Sequence, residues 1–157
     1  MIEQLRANWS ATGISIRPGA SIEQIKAFEA HYDVRLPVDL REYFVAIDGM
    51  NEGETDNDLL SFHSLDAIKR IPEELAHFGG VPDYRDILQT LPDAHAWFVI
   101  GDWSINCAVI AIRLTGSASE TPVVWIADGT TYWNVGQSFS EFLETYLANP
   151  QQLFTGS

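Results

Sequence analysis

The chain has 157 residues, 46% of them hydrophobic and 11% aromatic, which is enough apolar material for one packed domain. It carries nine basic and 22 acidic residues, a formal net charge of −13, so phosphate repulsion argues against direct binding to nucleic acid or to an anionic membrane. The single Cys107 excludes an internal disulfide, and the N-terminus lacks the basic and apolar segments of a secretory signal, so we expect a cytoplasmic protein.

The first half of the chain predicts three helices. Residues 1–10 predict a short helix with its apolar residues on one face. Ser21 and Gln24 have the spacing of a capping box, so a second helix is expected to start there. Pro37 starts a third helix, because its fixed φ suits the first helical turn, and the Asp-Gly pair at 48–49 ends that helix.

A polar, acidic loop follows over residues 50–58, and residues 59–63 predict the first strand. Ser64 is expected to cap a further helix, and Pro72 to reopen a helical turn that runs into the Gly-Gly pair at 79–80. Residues 84–88 predict another short helix.

The second half has the composition of a sheet. Short β-rich runs at 97–100, 107–114, 123–127 and 130–135 predict strands, with Gly101, Asp102 and Trp103 in a loop after the first of them. Asp128-Gly129 predicts a type I′ hairpin turn, which needs positive φ at both central positions. A second capping box, Ser138 with Glu141, predicts a closing helix that stops at 149–150. These elements predict a single α+β domain over residues 1–157, with a mainly antiparallel sheet in the second half and helices packed on one side.

The order and spacing of these pieces resemble the SUKH superfamily, and more narrowly the branch named after a yeast cell-wall assembly regulator. The likeness spans residues 20–147 and is carried by Ile25, Phe28-Glu29, Leu36-Pro37, Leu40-Arg41, Phe44, Asp48-Gly49, Pro122-Val123, Ser138-Phe139 and Glu141-Phe142-Leu143. What the resemblance implies is a bacterial immunity-protein-like member, which neutralises a cognate toxin, nucleases being common among such toxins. The motif residues themselves are interpreted as structural. Arg113 stands where many members have Asp, so no polar role is carried over to it.

Catalytic and metal-binding patterns are absent from the sequence. The four histidines and the one cysteine lack zinc-site spacing, and the acidic loop fails the EF-hand pattern at its glycine and final glutamate positions. Ser61 and His63 share a strand face without a clear orienting acid, and Cys107 is interpreted as a small buried strand residue. We therefore expect a protein that is not an enzyme and that needs no cofactor or metal.

The acidic loop is the predicted partner-binding site. The chain has no Lys or Arg between Arg41 and Lys69, and the acids are densest at the centre of this stretch. A basic protein partner, a toxin domain in particular, would be steered to such a surface. The predicted partner-binding residues are Glu52, Glu54, Asp56 and Asp58, with Asp102 and Trp103 as a second patch.

Two alternatives stay open at this stage. The acids can form an ordinary solvated loop, and the tryptophans can be packed under neighbouring loops. The function can also be that of a regulatory or scaffolding interaction domain without a toxin partner, although the chain lacks the long disordered flanks that scaffolds use. An enzymatic function rests on no motif.

Overall fold

The computed structural model describes residues 1–75, 78 and 80–156. The described α-helices are α1 (Ile2–Ala11), α2 (Ile22–Tyr32), α3 (Val38–Ala46), α4 (Ile71–Leu75), α5 (Ile87–Thr90) and α6 (Phe139–Ala148). The described strands are β1 (Leu60–Phe62), β2 (Lys69–Arg70), β3 (Trp97–Trp103), β4 (Ala108–Arg113), β5 (Val123–Ile126) and β6 (Tyr132–Gly136). The predicted α+β class is thereby confirmed, as is the closing C-terminal helix.

All strand pairs in the sheet are antiparallel, in the order β1-β3-β4-β5-β6. The short strand β2 also pairs with β3, beside β1 on the same edge. In this register Ser61 lies opposite Asp102, and Phe62 lies opposite Gly101. The pairing of β3 with β4 shifts between Val99 and Gly101, so the end of β3 bends where it meets β1.

The long helices cover one face of the sheet. Strand residues alternate between faces, so Phe98 and Val99 enter different apolar clusters. The larger cluster joins the sheet to α1, α2, α3 and α6, and its large members include Leu5, Trp9, Phe28, Phe44, Phe62, Phe98, Trp125 and Phe142. The segment between β2 and β3 covers the opposite face, with Ile71, Tyr84, Ile87 and Leu91 against Val109 and Val124. This second layer ends short of β1, which leaves that edge open.

The helix starts follow the predicted capping chemistry. The Ser21 hydroxyl accepts from the N–H of Gln24, whose side chain accepts from the N–H of Ser21, so the first capping box is complete. The second is half formed: the Ser138 hydroxyl accepts from the N–H of Glu141, but the Glu141 carboxylate accepts from the N–H of Gln137.

Two local predictions are wrong. Ser64 does not start an α-helix: a 3-10 turn over Leu65–Ala67 leads directly into β2, because this stretch pairs with the edge of β3. The turn between β5 and β6 is not type I′, since neither Asp128 nor Gly129 has positive φ. The N–H of Gly129 instead donates to the Asp83 carbonyl at 2.8 Å, so a contact with the covering segment sets the turn. The predicted helix end at 79–80 lies partly outside the described residues.

Candidate functional site

An open groove of about 690 Å³ lies at the β1 edge of the sheet. Its walls are the acidic loop, β1 with the turn that follows it, and the turn that joins β3 to β4. Two basic residues, Arg17 and Lys69, and four apolar ones reach it. Carboxylates are more numerous, and those in the lining are Glu52, Glu54, Asp66, Glu74 and Asp102. The groove therefore has an excess of negative charge.

The end of α3 fixes the first wall of the groove. Gly49 has φ +66°, and a Cβ there would stand 2.5 Å from the His63 carbonyl oxygen, so only glycine lets the chain pass β1. Next to it, the N–H of Met50 donates to the Phe62 carbonyl at 2.8 Å. The buried Asp48 carboxylate accepts from the N–H of Leu65 at 2.7 Å. The Asp-Gly pair is thus a structural joint between the helix and the strand.

Asp56, in the middle of the acidic loop, points into the protein. It is 8% exposed, and one carboxylate oxygen accepts from the N–H groups of Asp58 and Leu60, at 2.9 Å each. The other oxygen accepts from the Tyr146 hydroxyl, which itself accepts from the indole N–H of Trp9. Burial raises the pKa of Tyr146, and the hydrogen bond to Asp56 raises it further. This network ties the loop to α1 and α6.

The other three loop acids lie nearer the surface. Glu52 is exposed, whereas Glu54 and Asp58 are partly exposed. The Glu54 carboxylate accepts from the N–H groups of Ser15 and Asn51, and the Asp58 carboxylate accepts from the side-chain amide of Gln151. Glu52 thus extends furthest into solvent, while the others also hold the loop in place.

Asp102 lies within β3, where the sequence had predicted a loop. Pairing of β1 with β3 extends the strand through Trp103 and places Asp102 on the same face as Ser61 and His63. Nε2 of His63 lies 3.0 Å from a carboxylate oxygen of Asp102, and both side chains are largely buried at the base of the groove. Gly101 permits this approach, since a Cβ there would stand 2.6 Å from the Ser61 carbonyl oxygen. The orienting acid that the sequence did not reveal is therefore Asp102, 39 residues from His63.

Trp103 ends β3 and packs inside an aromatic group. Its ring centroid lies 6.0 Å from that of Trp125 and 5.5 Å from that of Phe154. Its indole N–H donates to the Asp58 carbonyl at 3.0 Å. Trp103 thus helps to hold the acidic loop in place through this hydrogen bond, and it is only partly exposed.

Two other chemical expectations can be placed on the structure. Cys107 lies exposed in the turn before β4, so its interpretation as a buried strand residue is wrong: the strand begins one residue later. Among the described residues, no group of three or more His, Cys, Asp or Glu side chains is arranged to hold a metal ion. His77, one of the four histidines considered, lies outside the described residues. No described helix has both the length and the apolar character needed to cross a membrane.

The motif residues of the helix pair contact one another. The Glu29 carboxylate accepts from the N–H of Leu36 at 2.7 Å and pairs with Arg41 at 3.0 Å. Pro37 is the N-cap residue of α3. This arrangement fixes the angle between α2 and α3, so these positions serve the fold.

The structure also brings to the groove residues that sequence reasoning did not select as a site: His63, Asp66, Glu74 and Ile105. Asp66 carried a weak signal, because it continues the acidic stretch beyond the loop, whereas Glu74 lies past Lys69 and Arg70, which end that stretch. His63 was considered only together with Ser61, and Ile105 carried no signal; the pairing of β1 with β3 brings both to this edge.

Comparison with known proteins supports the resemblance. The model of the SMI1 / KNR4 family (SUKH-1) matches residues 19–145 of the chain. A search of curated proteins found no match. The matched range runs from the loop before α2 into α6, so it includes the helix pair, the described strands and every residue that lines the groove except Arg17. The family is consistent with a protein-interaction or immunity-type module. The chain belongs to the SMI1 / KNR4 family (SUKH-1).

Proposed function

We propose that this chain is a non-catalytic immunity protein that binds and neutralises a cognate bacterial toxin through the groove at the β1 edge. The observation that carries the proposal is the excess of carboxylates at an open groove, where five acidic side chains meet two basic ones. One of the two basic side chains, Arg17, is engaged with Asp48 and Asn51. The groove is therefore a surface that attracts cations.

Charge supports a basic partner for two reasons. The net charge of −13 steers a basic protein towards the chain from a distance, and the groove gives that attraction a direction. A nuclease toxin fits this role, because it needs a basic cleft to hold the phosphates of its substrate. An acidic groove placed over that cleft would keep the substrate out.

Solvent access decides which predicted residues are proposed for direct contact. Glu52 is exposed, and Glu54 and Asp58 are partly exposed, whereas the Asp102 side chain is largely buried and its carboxylate is bonded to His63 and to the N–H of Asn106. Asp56 is not available to a partner, since its carboxylate is occupied within the protein. We propose that Asp56, Asp102 and Trp103 position the contact residues, and that exposed Asp66 joins the contact set.

The pair of His63 and Asp102 is the arrangement nearest to catalytic chemistry. Nε2 of His63 lies beside Asp102, and Nδ1 is buried without a hydrogen-bond partner. A general base must have a nitrogen within reach of the substrate proton. Neither nitrogen is presented to the groove in this way, which favours a binding role.

Co-expression with the product of the adjacent gene tests the proposal. If that product arrests growth alone, the chain is expected to restore growth, and the Glu52→Lys/Asp66→Lys variant to restore it less well. The matched control is Glu42→Lys/Glu144→Lys, which changes the net charge equally at exposed positions on α3 and α6. Direct binding of the purified proteins, measured by titration calorimetry, must accompany the rescue. A chain that binds no toxic product, but joins other proteins, would instead fit the regulatory or scaffolding function.

A further inference from the structure

The turn between β3 and β4 has an unusual backbone. Ser104, Ile105 and Asn106 follow one another with φ of 50°, 55° and 64°. The left-handed region is tolerated by Asn, but for an L-residue it costs roughly 1–2 kcal/mol, and for a β-branched residue such as Ile it is a clear outlier. The sequence places a residue badly suited to this conformation at the centre of the turn.

Four hydrogen bonds from three parts of the chain hold this turn. Within the hairpin, the N–H of Cys107 donates to the Trp103 carbonyl and that of Asn106 to the Asp102 carboxylate. From the covering segment, the Tyr84 hydroxyl donates to the Asn106 carbonyl at 2.7 Å. From the residue before β1, the Leu59 carbonyl accepts from the N–H of Ser104 at 2.9 Å. A strained conformation persists when its surroundings fix it in this way.

The strained conformation does not bury the apolar side chain of Ile105 within this chain. Ile105 is 83% exposed, so its side chain buries little of its apolar surface here. Leu59, which is bonded to the same turn, also has positive φ, at 69°, and is 48% exposed. Two large apolar side chains are thus held outward by left-handed backbone at one edge of the sheet.

Ile105 also lines the acidic groove. Its exposed apolar side chain stands on the turn whose backbone Asp102 holds, in the same groove as Glu52, Glu54 and Asp66. A partner that fits this surface needs an apolar pocket ringed by Lys or Arg side chains. A second copy of this chain fits poorly as the partner, because two chains that each carry a net charge of −13 repel each other.

We propose that Ile105 is the apolar anchor of the partner interface, presented by a preorganised turn, and that the partner receives it in an apolar pocket bordered by cationic side chains. This inference rests on the proposed function and identifies the contact that adds specificity to charge attraction. A rigid apolar side chain loses little freedom on binding, so its burial contributes efficiently to affinity. A side chain that fills a partner's pocket, surrounded by contacts that exclude water, can carry a large share of the binding energy of an interface.

Ile105→Asn is the decisive substitution. Asn tolerates the left-handed conformation and removes the apolar side chain. The melting temperature of the variant is expected to stay equal or to rise by about 2–4 °C. Val38→Asn is the matched control, because Val38 is 70% exposed and stands on α3, in ordinary helical conformation. A melting temperature that falls by several degrees in Ile105→Asn alone would show that Ile105 serves the fold, and would overturn the proposal.

Binding is probed with two synthetic peptides of equal length and equal lysine content, one with leucine and the other with serine at the remaining positions. The full chain is expected to bind the leucine peptide about tenfold or more tightly than the serine peptide, measured by fluorescence anisotropy. Ile105→Asn should lose that preference and keep the weaker, salt-dependent binding. Val38→Asn should retain both.

The outcomes separate this inference from the proposed function. Equal binding of the two peptides by the unmodified chain, or an unchanged preference in Ile105→Asn, overturns the anchor and leaves the acidic surface in place. Binding of neither peptide at low salt contradicts the acidic surface itself. Sedimentation of the unmodified chain as a dimer that Ile105→Asn dissociates would assign the anchor to a second copy, and would also overturn the proposal.

Discussion

The acidic stretch after α3 contains carboxylates at two depths, and they do different work. Asp48 and Asp56 are buried and accept hydrogen bonds from backbone N–H groups, so they hold β1 and the loops beside it. Glu52 and Asp66 are exposed at the rim of the groove. A run of negative charge in the sequence is therefore not one functional unit. The hydrogen-bond partners of each carboxylate decide whether it stabilises the fold or remains available to another molecule.

Removal of Asp56 is expected to have the largest effect on stability. Asp56→Ala leaves the N–H of Leu60 and the hydroxyl of Tyr146 without their acceptor inside the protein. Each unsatisfied buried group costs about 1–3 kcal/mol, so the free energy of unfolding should fall by about 3 kcal/mol in urea titrations. Glu52→Ala, the control from the same loop, should change it by less than about 0.5 kcal/mol. An equal fall in the free energy of unfolding in Asp56→Ala and Glu52→Ala would show that the buried and the exposed carboxylates of the loop do not differ in their contribution to stability.

Asp48 should show a smaller loss of the same kind. Asp48→Ala removes the acceptor of the Leu65 N–H, at 2.7 Å, and a longer contact with Arg17, at 3.6 Å. We expect the free energy of unfolding to fall by about 2 kcal/mol. Arg17→Ala removes the ion pair and leaves the hydrogen bond to Leu65 in place. Its loss should be smaller, because a partly exposed ion pair contributes less than about 1 kcal/mol. A loss in Arg17→Ala as large as that in Asp48→Ala would show that the ion pair, and not the hydrogen bond to Leu65, accounts for the contribution of Asp48 to stability.

The two depths could not be read from the sequence, because they depend on distant partners. Asp56 is buried by Tyr146, 90 residues later, and His63 meets Asp102 only through the pairing of β1 with β3. Periodicity and capping chemistry, which act over a few residues, correctly predicted the helix pair, the antiparallel sheet and the closing helix. The same local rules failed at Ser64 and at Asp128-Gly129, where contacts with other elements determine the conformation.

Glu52 and Asp66, the acids at the rim of the groove, should affect association with a partner and have little effect on the stability of the fold. Glu52→Lys/Asp66→Lys is expected to change the free energy of unfolding by less than about 0.5 kcal/mol, because surface substitutions away from structural contacts have small effects. The control Glu42→Lys/Glu144→Lys should behave alike in unfolding experiments. The two variants are therefore a matched pair for kinetic work, with the same net charge and comparable stability.

Stopped-flow kinetics over a series of salt concentrations, with these variants and the proposed toxin partner, measure whether the acids at the rim of the groove direct association. We expect Glu52→Lys/Asp66→Lys to associate about tenfold or more slowly than the unmodified chain at low salt and to show a weaker salt dependence, while the control retains most of the rate. Equal rates and equal salt dependence in the two variants would contradict it, because the groove would then give the charge attraction no direction.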